Sequence, residues 1–417
     1  MPQRNKNILI VSYFFPPMGL GGVQRAAKTA KYLARDGWNV HVLTCNPDSF
    51  PIQDRSMLED LTDEVEITHI DDPVAKRANL PAEADYILKG KSGLIRRMVQ
   101  VPDSKKFWAD RASKTAEKIV REKSIEHLIT TSPPPSAHTI GMHLKRMMDI
   151  KWLADFRDPW FADSKKPLTF MHKSMHEKLE RNIIQNADSI VGVTSAHVSD
   201  LKGKYAEFAS KIHHIPNGFD IEDFEGVEQS FPDKLVIAHG GTLCSRHTVE
   251  PFFIALTALE DDICGQIEFW QIGAVNEDIY KMIAERFSST LKIKFMGYKS
   301  HTDTLSTLGK ASVIVVFGGV DKDSLRIIPA KLYEGLAFKK PLMIVVEKES
   351  AVRGVIDDMP GVVHLDPDDR ESMKRGLNII VDSDKSGSLF NEPRGSKLKK
   401  YERKYQANQM AELLENA

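Results

Sequence analysis

The sequence predicts an α/β protein made of two doubly wound Rossmann-like halves, and three observations carry that prediction. Short, continuous apolar runs alternate with longer stretches of helical periodicity along nearly the whole chain. The alternation halts once, at Ile215–Gly226 (IPNGFDIEDFEG), and then restarts. At 417 residues the chain is also long for one core, since single cores stop growing near ~250–300 residues.

The first set of runs is Ile8–Tyr13, Val40–Thr44, Val65–Ile70, His127–Thr131, Trp152–Asp155 and Ser189–Val193. They are rich in β-formers, continuous rather than alternating, and end at turn or polar residues. Parallel strands covered on both faces require that pattern. Between them, Gly22–Asp36 places Val23, Ala26, Ala27, Ala30, Leu33 and Ala34 along one helical face, and Arg111–Lys123 and Met171–Asn186 behave similarly. Pro216, Asn217 and Gly218 then form a turn cluster. The second set of strands is Leu235–His239, Ile267–Ile272, Ile293–Met296, Ser312–Phe317, Leu342–Val346 and Val362–Leu365. Lys397–Asn416 is a helical pattern with no strand after it. The expected division is 1–218, 219–396 and a last helix in 397–417.

Composition narrows the function. With 41% hydrophobic and 28% charged residues, the chain has the mix of a soluble protein with ample core material. A formal net charge of −1 gives no global attraction to nucleic acid or membrane, so no nucleic-acid partner is expected and a membrane would have to be met by a local patch. The three cysteines, Cys45, Cys244 and Cys264, form no CxxC pair. That argues against a disulfide framework or zinc site and for a reducing, cytoplasmic setting. No run approaches ~18 consecutive apolar residues, so no membrane span is expected. The opening MPQRNKNILIVSYF reads as a first strand rather than a signal peptide.

Ligands of open parallel sheets bind beyond the carboxyl ends of the strands, which directs attention to four loops. In SYFFPPMGLGGVQRAAK, Gly21 and Gly22 open a helix; paired glycines admit close backbone approach and a helix N-terminus favours anions, though tight-turn glycines are the plain alternative. In HGGTLCSRHTVEPFF, Gly240 and Gly241 end a strand near Arg246, an arrangement that can hold a diphosphate or be a solvated Arg beside a turn. In IIPAKLYEGLAFKKPLMIVV, Pro329 marks a helix start, and Lys331 and Glu334 share a face. They could form a surface pair, or the carboxylate could accept two ribose hydroxyls. In KWLADFRDPW, Asp155, Arg157 and Asp158 close a buried strand, where three charges are costly unless paired or used. No DxD strand-end motif in a donor position and no His/Cys cluster with ligand spacing is visible, so no metal is expected.

Taken together these segments resemble GT-B type glycosyltransferases, in particular the retaining glycosyltransferase family 4. The likeness is strongest at IPAKLYEGLAFKKPLM and extends through the N-terminal strand, glycine loop and helix, NADSIVGVTSAHVSDL with IHHIPNGFD, and TTSPPPSAH, VPDSKKFWAD and ADFRDPW. The resemblance implies two domains facing a central cleft, with the C-terminal helix crossing back to the first. It implies transfer of a sugar from a UDP- or GDP-linked donor to a glycan or lipid-linked acceptor, in polysaccharide or glycoconjugate biosynthesis and without a metal or other cofactor. Gly21 and Gly22 would lie by the donor diphosphate or the sugar. Arg246, after Gly240–Gly241, would counter the diphosphate charge, Ala330, Lys331 and Leu332 would supply amides to it, and Glu334 would hold the ribose. Met296, Gly297 and Tyr298 would cradle the base. Asp155, Arg157 and Asp158 would face the acceptor, with Asp155 or Asp158 handling the proton.

The chain departs from the family pattern in three places. Arg326 stands where the first Glu of an E-x7-E pattern is expected, no Lys follows Arg246, and Asp155-Phe156-Arg157-Asp158 stands where many members carry a His. A sugar-nucleotide epimerase of the same architecture and a catalytically weak binding subunit are the alternatives. In residues 86–108, Lys89, Lys91, Arg96, Arg97, Lys105 and Lys106 are interleaved with apolar and aromatic residues. Such a segment suits peripheral contact with an anionic membrane at its inner face, or else is a loop whose apolar members pack on the core.

Overall fold

The computed structural model describes residues 5–19, 22–50, 52–61, 64–78, 101–160, 169–319, 324–385 and 394–417. The chain forms two compact units, Met1–Pro216 with Arg403–Ala417, and Asn217–Glu402. The return to the first unit thus comes at Arg403 rather than at residue 397. Gly395–Tyr401 stays with the second unit because Tyr401 is buried there against Tyr333, at 5.0 Å between ring centroids, and its carbonyl accepts the Phe219 amide at 2.9 Å.

The first unit holds a parallel sheet of β1 (Asn7–Ser12), β2 (Asn39–Cys45), β3 (Val65–Ile70), β4 (His127–Ser132), β5 (Lys151–Phe156), β6 (Ser189–Gly192) and β7 (Ile212–His214), in the order β3-β2-β1-β4-β5-β6-β7. Strand β7 was not expected. Its three residues, Ile-His-His, are too short and polar to register as an apolar run. The helices used below are α1 (Gln24–Arg35), α2 (Lys106–Glu122), α3 (Ser136–Met147), α4 (Phe170–Asn186) and, from the end of the chain, α11 (Arg403–Glu415). Helix α11 packs on α1, and its Met410 and Leu414 are buried with Ile8, Ile10, Ala30 and Leu33. On the other face Trp108 and Trp152 are fully buried. An indole that loses roughly 200 Å² of exposed surface contributes about 5 kcal/mol. Gly141 lets α3 settle on Trp152, since a Cβ there would lie 2.3 Å from the indole.

The second unit holds β8 (Leu235–Gly240), β9 (Ile267–Ile272), β10 (Lys292–Phe295), β11 (Val313–Phe317), β12 (Leu342–Val345) and β13 (Val362–Leu365), parallel and in the order β10-β9-β8-β11-β12-β13. Its helices include α6 (Arg246–Thr257), α8 (His301–Gly309), α9 (Ala330–Ala337) and α10 (Arg370–Lys385). Each sheet reverses its strand order once, between β1 and β4 and between β8 and β11. The loops after β1 and β8 therefore emerge at the switch points where doubly wound sheets bind ligands. Among the described residues no helix is long and apolar enough to cross a membrane.

Buried histidines give the fold a pH dependence. His138 stacks on Phe156 at 4.5 Å with Nδ1 2.7 Å from the Thr130 hydroxyl. His176 Nδ1 accepts the Trp160 indole N–H at 3.0 Å, and His239 Nδ1 donates to the Val315 carbonyl at 2.9 Å. Burial pushes the three rings down to about 3, about 4 and about 3 respectively. Each is neutral when folded and takes up a proton below ~6.5 when unfolded, so the unfolded state binds more protons in that window. Stability should fall as pH drops from about 6.5 toward 4. Urea midpoints from tryptophan fluorescence should decline between neutral pH and about pH 5; a constant midpoint would contradict the assignment.

Candidate functional site

In the second unit the loop after β8 is built around close backbone approach. Gly241 has φ +147°, and a Cβ on it would lie 1.7 Å from Lys331 Nζ and 2.6 Å from Lys331 Cε. The lysine side chain, from the first turn of α9, thus lies across the glycine α-carbon, a packing that only glycine allows. The Gly241 amide donates to the Ile272 carbonyl at 2.6 Å, and its own carbonyl accepts Gln271 Nε2 at 2.6 Å. Gly273, at φ +119°, packs on the same carbonyl, where a Cβ would come within 2.4 Å. The Gly273 amide donates to the Gly297 carbonyl at 2.7 Å, and Gly297 has φ +65°. The loops after β8, β9 and β10 are thereby joined, leaving Tyr298 exposed at the edge.

Lys331 is the unusual member. Among the described residues it makes no hydrogen bond and no ion pair. Burial lowers its pKa, and the charge of Glu334 acts in the opposite direction. An ammonium drawn out of water without a partner is costly and suits an arriving anion. Glu334, one turn along α9, lies 3.0 Å from His301 Nε2. His301 heads α8 and its Nδ1 is 4.0 Å from Asp223. His301 carries no motif in the sequence; only the fold brings it to Glu334.

Two groups expected at the phosphate end are otherwise engaged. Arg246 begins α6, but its Nε donates to Glu250 at 2.7 Å and its side chain is half exposed. It is engaged in an i,i+4 pair with a carboxylate that also binds Arg286. The Leu332 amide donates to the Pro329 carbonyl at 3.0 Å, and its side chain is in the core. The first-turn amides of Ala330 and Lys331 are the ones that helix geometry leaves without an intrahelical acceptor. His247, Glu347 and Asp368 bring ligand-type atoms within 4.8 Å of one another. His247 Nε2 lies 3.2 Å from Asp368, and these two side chains are exposed, the setting of an ordinary surface ion pair.

In the first unit Gly21 lies outside the described residues, while Gly22 follows the β1 loop and its carbonyl accepts Arg157 Nη1. Burial lowers the Arg157 pKa, and the carboxylates of Asp158 and Asp155 favour its charged form. Asp155 has a different task from the one expected. Its two oxygens accept Arg25 Nε and Nη2, each at 2.9 Å, and Oδ2 also accepts the Thr131 hydroxyl at 2.9 Å. Arg25 goes on to donate to the carbonyls of Pro216 at 2.7 Å and Ile215 at 3.2 Å. Both Asp155 and Arg25 are almost fully buried. The carboxylate is committed to an ion pair that ties β4, β5 and α1 to the segment leaving the first unit.

Of the basic segment 86–108, residues 86–100 lie outside the described residues. Of the remainder Phe107 is exposed, while Trp108 and Lys105 pack on the core. Trp108 is fully buried and meets Tyr13 edge to face at 5.0 Å. Lys105 pairs with buried Asp72 at 3.4 Å over the Tyr13 ring. Asp103 accepts the Ser136 amide at 2.7 Å and so caps α3. Lys105 and Trp108 therefore belong to the core rather than to a membrane-facing surface.

Asp155→Asn leaves Arg25 buried without its counter-charge, which should destabilise the first unit by about 3–5 kcal/mol. The urea midpoint should fall accordingly while nucleoside diphosphate binding, measured by calorimetry in the cold, is retained. Wild-type stability with lost turnover would restore a proton-transfer role to Asp155.

Known proteins share the fold that carries these residues. A model of the family described as Glycosyltransferase Family 4 matches residues 20–223. No curated protein matches the chain significantly in sequence. Among solved structures, sucrose-phosphate synthase from Thermosynechococcus elongatus superposes with a TM-score of 0.71 at 13% identity, covering 99% of this chain and 98% of that one. HepE from Anabaena, solved in complex with UDP-glucose, gives 0.65 at 13% identity over 99% and 100% of the two chains. WaaG, a glycosyltransferase involved in lipopolysaccharide biosynthesis, gives 0.62 at 10% identity over 98% and 100%. At such identities the structures share a fold, and it is the GT-B fold. The match to the Glycosyltransferase Family 4 model spans most of the first unit and the link to the second, so that part of the chain is similar to this family, and the chain as a whole has the GT-B fold of two parallel α/β units.

Proposed function

We propose that the carboxyl edge of the second unit's sheet holds a UDP- or GDP-linked sugar, and that the sugar passes to a glycan or lipid-linked glycan in the assembly of a cell-surface polysaccharide or glycoconjugate. The observation that carries this reading is the Lys331 ammonium, unpaired among the described residues, lying across Gly241 at the switch point of the sheet. When the bond from the anomeric carbon to the diphosphate breaks, negative charge builds on the departing phosphate. Lys331 and the first-turn amides of α9 are preorganised to meet it, and preorganised charge of this kind needs no rearrangement at the moment of reaction. Lys331 thereby supplies the cation that the sequence lacks after Arg246.

Glu334, oriented by His301, accepts the ribose hydroxyls. The loop at Met296–Tyr298 receives the base. In the first unit Arg157 and Asp158 remain as acceptor-orienting groups, with Asp155 reserved for structure. HepE was solved with UDP-glucose, which favours a UDP-sugar as the first donor to try. No step in this scheme needs a metal.

Incubation with a panel of sugar nucleotides tests the reading as a whole. Slow release of nucleoside diphosphate, faster with glycan acceptor, is the expected result. Interconversion of epimers would make the chain an epimerase, and absence of any binding would make it a binding subunit of another kind. At the level of residues, Lys331→Met should weaken nucleoside diphosphate binding at least tenfold, on the order of the ~1.5–3 kcal/mol of a charged hydrogen bond, and leave the free nucleoside nearly unaffected. Gly241→Ala should reproduce that loss, because the new Cβ displaces the ammonium. Glu334→Gln should weaken diphosphate and free nucleoside alike. Calorimetry with both ligands checks all three, and equal losses for Lys331→Met on the two ligands would remove it from the phosphate site.

A further inference from the structure

We infer that Arg394 is a positioning residue for sugar-donor binding, acting at a distance by clamping the C-terminus of α9. The inference rests on the donor-site reading above.

Arg394 stands just before Gly395–Tyr401 and is nearly fully buried. Its Nε donates to the Pro360 carbonyl at 3.0 Å. Nη1 donates to the carbonyls of Leu336 at 2.9 Å and Phe338 at 2.6 Å, with Gly335 at 3.4 Å. Nη2 donates to the carbonyls of Lys340 at 2.8 Å and Gly361 at 3.1 Å. Among the described residues every partner is a backbone carbonyl, and no carboxylate balances the charge. Burial pushes the guanidinium down to about 10, so it stays charged at neutral pH.

The carbonyls come from three places. Gly335, Leu336 and Phe338 are at the end of α9, Lys340 lies just before β12, and Pro360 and Gly361 lie just before β13. Helix ends leave carbonyls without intrahelical donors, and the helix dipole favours a cation there. Helix α9 has only 8 residues, and after it Phe338 turns to extended backbone at φ −67°, ψ 143°. A helix this short does not hold itself in water; its place must come from tertiary contacts. Arg394 closes its carboxyl end and fastens it to the amino edges of two strands with one rigid, planar group.

Lys331 stands in the first turn of α9, so the clamp sets where its side chain stands, whereas Glu334 is held by His301 as well. Among the described residues Lys331 has no hydrogen bond of its own to hold it over Gly241. Its placement follows from the placement of the helix, and a displacement of about 1 Å at a reacting group can cost on the order of 10²-fold.

A double-mutant cycle separates positioning from general support. Arg394→Lys keeps the charge but cannot span the same carbonyls. In variants shown to be folded by their unfolding curves, Arg394→Lys should raise the Kd for nucleoside diphosphate at least about tenfold, with a much smaller change for the free nucleoside. In a Lys331→Met background the same substitution should change the Kd for the diphosphate little, since the group being positioned is gone. Equal losses in both backgrounds, or wild-type affinity in folded Arg394→Lys, would overturn the clamp while leaving the donor site standing. Unchanged affinity in Lys331→Met alone would instead bring down the donor-site reading, and the role of Arg394 with it. Native-state hydrogen exchange of the wild-type chain provides a check that depends on no variant. The amides of α9 should open together with those of β13 at one urea dependence, and independent opening of α9 would refute the coupling.

Discussion

A parallel sheet covered on both faces leaves its polar side chains only one outlet, the edge where its strands end. Both units obey that constraint, and the placement of their chemistry follows from it. In the first unit Thr131 and Asp155 are register partners at the ends of β4 and β5, which puts hydroxyl and carboxylate side by side for Arg25. In the second, His239 and Gln271 are register partners at the ends of β8 and β9, directly before the two glycine loops. The apolar interiors need no such arrangement; they are continuous layers of aliphatic and aromatic side chains.

Three withdrawn cations show how differently charge is treated in this molecule. Arg25 is matched by a carboxylate and two carbonyls, Arg394 by carbonyls alone, and Lys331 by nothing within hydrogen-bonding reach among the described residues. A buried guanidinium can be satisfied by carbonyl dipoles because it spreads its charge over five donors in a plane. The Lys340 ammonium, buried as well, rests on the Ser230 carbonyl, whereas Lys331 has no such partner among the described residues. The contrast distinguishes two cations that hold the fold from the one to which the proposed donor site assigns a phosphate.

Much of this architecture was legible in the sequence, because buried parallel strands must be continuous apolar runs. Ile267–Ile272 carries its boundaries in composition alone, whereas Val65–Ile70, read as a buried apolar run, is an edge strand with polar residues interleaved and none of its residues fully buried. Strand β7 does not carry its boundaries, since Ile-His-His relies on β6 for its definition. The loops that bear Gly241 and Glu334 were also legible, as glycines and a helix start after apolar runs. What could not be read was which charges meet. Lys331 finds Gly241, and Asp155 finds Arg25, across long stretches of chain. Arg246 has an acid four residues on, yet that spacing is common to phosphate sites and surface pairs. Trp108 and Lys105 show the same limit: an aromatic beside a lysine has one composition whether it faces lipid or, as here, Tyr13 and Asp72.

Helix α11 closes the first unit with residues that follow the whole of the second in the chain. Met410 and Leu414 cover the layer formed by Ile8, Ile10 and α1. During synthesis on the ribosome that layer is made first and covered last, so it stays bare while every strand of the second unit is being added. Apolar surface left open in this way is what chaperones bind and what drives aggregation of partly made chains. The first unit therefore cannot be completed until the second has been synthesised. A nascent chain halted before Arg403 would carry a finished second unit and a first unit with its flank uncovered.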